Sequence, residues 1–251
     1  MEYGPELICF ASREAMAARL ADVIEARLAL SLCEKRSLCE KEPHRNAGRA
    51  LLAVSGGSTP AALYDALSRR PLDWPRIAAP LVDERWVPLG ADGSNEDFVR
   101  ATLAQGAAAD AGVAEIVGLW SGAASPVDGA TAADRRVAAL GGPLDVVVLG
   151  MGTDGHTASW FPHADGLAAA LSPQSAVVHV RARRSEVTGD RLDRLTMTLG
   201  YAASARFVCL LIAGEEKRAA FEAAREEGPV EAMPVRAILR ARPDIWACWA
   251  P

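Results

Sequence analysis

Leu144-Asp145-Val146-Val147-Val148-Leu149-Gly150-Met151-Gly152-Thr153-Asp154-Gly155-His156-Thr157-Ala158-Ser159 decides how this chain is read. The run Leu144 to Leu149 is apolar, rich in β-branched residues and closed by glycines, so it reads as a buried parallel strand opening into a loop. In open α/β sheets the carboxyl edge of such strands is where ligands bind. Glycines let backbone N–H groups approach an anion closely, and His156 carries the side chain suited to proton transfer near neutral pH. The loop reads as an active site.

Outward from that strand, similar runs recur with helical segments between them: Leu51 to Val54, Ala78 to Val82, Glu115 to Leu119, Ala176 to Val180 and Phe207 to Ala213. The alternation predicts parallel strands joined by crossover helices. The expected fold is α/β, a doubly wound, mainly parallel sheet with helices on both faces. Ala11 to Leu32 has helical apolar spacing and few breakers, which predicts a long amphipathic helix on that sheet. Cys33 to Arg49, with Pro43, Asn46 and Gly48, reads as its end and a surface loop. With no repeat or long linker, residues 1–251 are expected to form one domain.

Composition limits what the loop can serve. Half of the 251 residues are apolar, enough for a large core, and 27 basic against 32 acidic residues leave a net charge of −5. That balance argues against nucleic-acid or membrane-surface partners and means that an anionic substrate would need a local basic pocket. Five scattered cysteines, Cys9, Cys33, Cys39, Cys209 and Cys248, form no CxxC pair. They point to reduced thiols in the cytosol, without a disulfide framework or a zinc site. Neither an export signal nor a membrane span is expected.

A second segment, Ser55-Gly56-Gly57-Ser58-Thr59-Pro60, follows an apolar run and enters a helical pattern. Its glycines, hydroxyls and first-turn proline suit a phosphate cradle at a helix N-terminus, although the same string also serves as a capped tight turn. It lacks the spacing and lysine of a Walker A loop. A third segment, Asp83-Glu84-Arg85-Trp86-Val87-Pro88 with Ser94-Asn95, would sit at the sheet's carboxyl edge. There Arg85 could neutralise developing negative charge and Asp83 could orient a partner, or the triplet could be an ordinary surface ion pair. Arg194-Leu195-Thr196-Met197-Thr198, ahead of a helical pattern, and Gly214-Glu215-Glu216-Lys217 supply two further cations, Arg194 and Lys217, each suited to a phosphate and each equally readable as a solvated helix residue.

Taken together, these five motifs, in this order across residues 55 to 217, resemble the 6-phosphogluconolactonase family. The resemblance implies a sugar-phosphate isomerase/deaminase-like sheet. It implies hydrolysis of 6-phospho-D-glucono-1,5-lactone to 6-phosphogluconate in the oxidative pentose phosphate pathway, with no metal or organic cofactor. It makes His156 the general base toward water, Asp154 and Asp83 the groups that hold imidazole, water or sugar hydroxyls, and Arg85 the cation for the oxyanion. Ser55, Gly56, Gly57, Ser58, Thr59, Gly152, Arg194 and Lys217 become the substrate and phosphate ligands. The partner is a small phosphorylated lactone; the oligomeric state is left open, with a monomer fitting.

The chain departs from the family pattern in two places. After the histidine stands Ser159-Trp160-Phe161-Pro162-His163, where Trp160 reads as a core wall and His163 as a cap of the next helix. The segment Arg181 to Asp190 lacks the usual prolines, and its arginines either steer an anion or form a solvated loop. Three other readings compete. A glucosamine-6-phosphate deaminase would carry glutamate where Phe161 stands. A dehydrogenase is suggested by Gly150-x-Gly152-x-x-Gly155, but no acid lies between Leu171 and Val180. A non-catalytic sugar-phosphate sensor on the same fold is the third.

Overall fold

The structure, a computed structural model, describes residues 4–39, 48–111 and 115–251. Its elements run β1 (Leu7–Cys9), α1 (Arg13–Cys39), β2 (Ala50–Ala53), α2 (Ser58–Ser68), β3 (Ile77–Pro80), β4 (Asp83–Arg85), α3 (Asn95–Leu103), α4 (Gly106–Asp110), β5 (Glu115–Val117), α5 (Pro126–Ala138) and β6 (Val146–Gly150). They continue with α6 (Leu167–Ala170), β7 (Val177–Arg181), β8 (Asp193–Met197), α7 (Leu199–Ala203), β9 (Phe207–Ala213), α8 (Glu215–Arg225), α9 (Val235–Ala241) and β10 (Trp246–Ala250).

Seven parallel strands form the main sheet in the order β1-β10-β9-β6-β2-β3-β5. From β2 the chain moves one way to β3 and β5, and from β6 it moves the other way to β9 and β10. Right-handed crossovers running in opposite directions place their helices on opposite faces, as the doubly wound expectation requires. The order reverses between β2 and β6, which opens a crevice at their carboxyl ends. The glycine-rich loops that follow these two strands flank it.

Burial explains why these segments are strands. Val146, Val147, Val148 and Leu149 are fully buried, as are Leu52, Val208, Leu210 and Ile212. Buried on both sides, such strands show continuous apolar runs instead of alternation. Helix α1 buries Met16, Leu20, Ile24 and Leu28, one face at helical spacing, and continues past the expected end at Leu32 to Cys39. Its carboxyl half is held by Lys35 and Ser31, which donate to the buried Asp145 carboxylate at 2.6 and 2.7 Å. Residues 40–47 of the expected surface loop lie outside the described residues.

The structure corrects one expectation and adds strands that the sequence did not signal. Ala176 to Val180 is not in the parallel sheet: β7 pairs antiparallel with β8, and β8 with β4, in a separate three-stranded sheet. Arg194-Leu195-Thr196 is itself part of strand β8, with α7 following at Leu199. The terminal strands β1 and β10 carried no strand signal, because Leu7–Cys9 is three residues at an edge and Trp246–Ala250 contains no β-branched residue. Cys248 there is buried packing.

Candidate active site

The sequence-predicted loops converge on one cavity of about 360 Å³ at the crevice. Ser55, Gly56, Gly57, Ser58, Thr59, Asp83, Arg85, Gly152, His156, Arg194 and Lys217 all line it. Asp154 stands one layer back, with its Oδ1 2.5 Å from His156 Nδ1 and 3.1 Å from the His156 backbone nitrogen, which donates to it. With Nδ1 engaged, Nε2 is the nitrogen available to a ligand. Burial pushes the Asp154 carboxyl up, but the hydrogen bonds and charge of His156 outweigh it and hold Asp154 below the usual carboxylate range.

Two glycines in the turn Gly150–His156, Gly152 and Gly155, stand where a Cβ would meet close neighbours. The Gly152 N–H donates to the His156 carbonyl at 3.0 Å and the Gly155 N–H to the Gly152 carbonyl at 3.1 Å. A Cβ on Gly152 would collide with the His156 ring, and one on Gly56 would collide with Asn95 Oδ1. Gly155, at φ +77°, occupies the left-handed region. No helix follows this turn until α6 at Leu167, which removes the dinucleotide-binding reading of its three glycines.

The loop after β2 enters α2 through Gly57 at φ 101°, with no side-chain cap and no acidic residue in the first turn. An uncapped helix start facing a cavity is suited to an anion. The start of the loop is fixed by Tyr64, whose buried hydroxyl accepts from the Ser55 N–H and donates to the Ser55 carbonyl, each at 2.9 Å. Ser55 Oγ is buried at the cavity wall without a protein hydrogen-bond partner.

Strand β4 shows that Asp83-Glu84-Arg85 is no surface ion pair. Asp83 is 8% exposed and accepts from Ser159 Oγ at 2.5 Å and Asn95 Nδ2 at 3.1 Å. Glu84 is 1% exposed and accepts the backbone N–H groups of Asn95 at 2.7 Å and Glu96 at 2.8 Å, which open α3, together with that of Arg85 at 2.8 Å. Burial raises the Glu84 carboxyl above its ordinary value against the pull of those three bonds. Its role is to anchor α3, which brings Asn95 to the cavity. Arg85 donates to the Gly93 carbonyl at 2.6 Å.

Arg194 faces Arg85 from β8 and donates to the carbonyls of Arg191 at 2.9 Å and Thr188 at 3.2 Å. Burial, countered by Asp83 and reinforced by Arg85, brings its guanidinium down to about 10. Lys217, in the first turn of α8, is lowered by burial and by the charge of Arg13. Among the described residues, no group of three or more His, Cys, Asp and Glu side chains is placed to hold a metal ion. No helix among them is long and apolar enough to cross a membrane.

Several contributors had no assigned role in the sequence reading. Ser159 and Asn95 hold Asp83, Tyr64 holds Ser55, and Met151, Phe161 and Val187 complete the wall. Trp160 is a core residue whose Nε1 donates to the Met197 carbonyl at 2.8 Å. His163 is not a helix cap: α6 is capped by Gly166, and His163 is exposed at φ 54°. In the loop before Arg194, Arg184 pairs with Asp190 at 2.7 Å, and only Val187 reaches the cavity.

A family model described as Glucosamine-6-phosphate isomerases/6-phosphogluconolactonase matches residues 11–246. A 6-phosphogluconolactonase of Mesorhizobium japonicum is 41% identical over 243 residues, spanning 96% of this chain and 94% of the relative. One from Pseudomonas aeruginosa is 40% identical, spanning 95% of this chain and 92% of the relative. The crystal structure of a 6-phosphogluconolactonase from Shewanella baltica superposes with a TM-score of 0.84 at 33% identity, covering 99% of this chain and all of that one.

Proposed function

Because the chain belongs to the glucosamine-6-phosphate isomerase/6-phosphogluconolactonase family, we propose that it hydrolyses 6-phospho-D-glucono-1,5-lactone to 6-phospho-D-gluconate in the pentose phosphate pathway, with His156 as general base. The observation that carries the base assignment is the 2.5 Å contact between Asp154 and His156 Nδ1 beside the phosphate-type loop. Asp154 sets the tautomer, leaving Nε2 to take a proton from water as the water oxygen attacks the C1 carbonyl. The carbonyl electron pair moves onto oxygen, where Arg85 offsets the charge. Collapse of the tetrahedral intermediate breaks the bond from C1 to the ring oxygen, and the imidazolium returns its proton to that oxygen.

Asp83, fixed by Ser159 and Asn95, orients sugar hydroxyls. The 6-phosphate lies at the uncapped start of α2, on the backbone of Gly56, Gly57, Ser58 and Thr59 and the hydroxyl of Ser55, with Arg194 and Lys217 supplying charge. Gly152 supports this arrangement by letting the imidazole come close. The ring-opening carboxylate of the deaminase reading is missing, since Phe161 fills that place against His156 at 4.4 Å between ring centroids. Strands of both sheets lead into the cavity, which supports the reading of the chain as one domain.

The test is hydrolysis of freshly generated lactone, coupled to 6-phosphogluconate dehydrogenase and corrected for spontaneous opening, for wild type and for folded His156→Ala. Acceleration by wild type that H156A loses, with 6-phosphogluconate binding kept, supports activity and base together. No acceleration by wild type overturns the reading and leaves a sugar-phosphate sensor.

A further inference from the structure

Phe161 touches both halves of the site. Its ring lies 4.4 Å from the His156 imidazole, centroid to centroid and tilted by 34°, and Arg194 Cζ stands over the same ring at 5.4 Å from its centroid. Phe161 is 4% exposed. It also forms, with Val187, the wall between the cavity and an outer basin of about 410 Å³ that Asp154 borders.

The backbone is bent to place it there. Ala158, between the histidine and Phe161, is held at φ +50°, an unfavourable region for a residue with a Cβ. The turn is locked by the Trp160 N–H on the Thr157 carbonyl at 3.0 Å, the Phe161 N–H on the Ser159 carbonyl at 3.1 Å and the Trp160 indole on Met197. Residues 156 and 161 thus face one another at five positions' separation. The Asp154 bond holds one nitrogen of the imidazole but leaves the tilt of the ring about that bond unrestrained. Gly152 limits the ring edge and Phe161 limits its face.

We propose that Phe161 is a positioning residue for the hydrolysis: its ring fixes the plane of the His156 base and, through the same contact, the place of the Arg194 cation. The inference rests on the lactone hydrolase reading. A sugar ring carries its carbonyl carbon and its phosphate at a limited range of separations. A rigid aromatic spacer between base and phosphate cation selects ligands with that span, and misplacement by about 1 Å is costly to rate.

The test compares Phe161→Met, which keeps bulk and apolarity without a flat face, with Phe161→Tyr, which keeps the ring. With both variants folded by circular dichroism, F161M is expected to lose about tenfold or more in kcat and to raise KM, while F161Y stays within about threefold of wild type. F161M within about twofold of wild type in both constants, or F161Y as impaired as F161M, overturns the proposal. Should F161M fail to fold, Phe161→Leu is judged by the same criteria.

A second measurement does not need turnover: carbethoxylation of His156 by diethyl pyrocarbonate, followed by mass spectrometry with the exposed His163 as internal reference. Removal of the ring is expected to speed modification of His156 severalfold relative to His163, and an unchanged ratio counts against the contact. Wild type inactive on lactone but with faster modification in F161M places the failure in the hydrolase reading. Wild type active with F161M unchanged in both places it in the Phe161 proposal.

Discussion

Arg85 and Arg194 stand directly opposite each other on the antiparallel strands β4 and β8, and both side chains line the cavity. Like charges facing across a strand pair are unfavourable unless something holds them. Here backbone carbonyls of Gly93, Arg191 and Thr188 accept from the two guanidinium groups, and the buried Asp83 carboxylate is near. On the proposed function an anionic ligand would complete the neutralisation, which would couple binding to local stability.

Arg194→Gln is therefore expected to weaken 6-phosphogluconate binding by roughly 10- to 100-fold, the value of about 1.5–3 kcal/mol for a charge-assisted bond. The rise in melting temperature that saturating 6-phosphogluconate produces in wild type should shrink in R194Q, because a ligand stabilises in proportion to the logarithm of its concentration over Kd. Equal shifts in both proteins would remove Arg194 from the anion site.

Gly152→Ala places a methyl where the His156 ring lies. Gly152 is not in the left-handed region, so the backbone tolerates alanine and the fold is expected to hold. The imidazole must move, and kcat is expected to fall by about 100-fold with little change in secondary structure. The coupled lactone assay beside far-ultraviolet circular dichroism reads this directly.

Lys217 has a lowered pKa from burial and from Arg13, so its charged form is disfavoured in the folded protein and it loses its proton at a lower pH than an ordinary lysine, about 10.4. Phosphate binding needs the charged form, so its contribution is present at neutral pH and is lost as pH rises through the lowered value. Calorimetric titration with 6-phosphogluconate from neutral to alkaline pH should show affinity falling in wild type and falling less in Lys217→Arg. Identical profiles would mean that Lys217 does not bear on the phosphate.

Glu84→Gln leaves the shape of the side chain but turns one acceptor into a donor, facing the N–H of either Asn95, bonded to Oε1, or Glu96, bonded to Oε2. A loss of about 1–3 kcal/mol in urea unfolding is expected, the range for a buried group left unsatisfied. KM should rise as well, since α3 delivers Asn95 to Asp83.

The central strands were legible because β2, β3, β6 and β9 are apolar on both faces, and the two glycine turns because close approach leaves few alternatives to glycine. The small sheet was not. Asp83-Glu84-Arg85 and Asp193-Arg194 are charged, and a pattern based on apolarity assigns such residues to the surface. Their burial depends on partners distant in sequence: Ser159 for Asp83, and the start of α3 for Glu84. Tyr64 and Phe161 likewise had no role in the sequence reading, because nothing local shows that one grips Ser55 and the other covers His156.

The sequence by itself determined the parallel α/β order and the two glycine-rich turns at strand ends, and it singled out His156 as a candidate that the structure places at the cavity, since these rest on local periodicity and on residue types with few substitutes. Only the tertiary structure decided that β4, β7 and β8 form a second sheet, that Arg85 opposes Arg194, and that Phe161 joins base to cation. Those relationships arise from pairing register and from the left-handed turn at Ala158, which set distances between side chains that no linear spacing encodes.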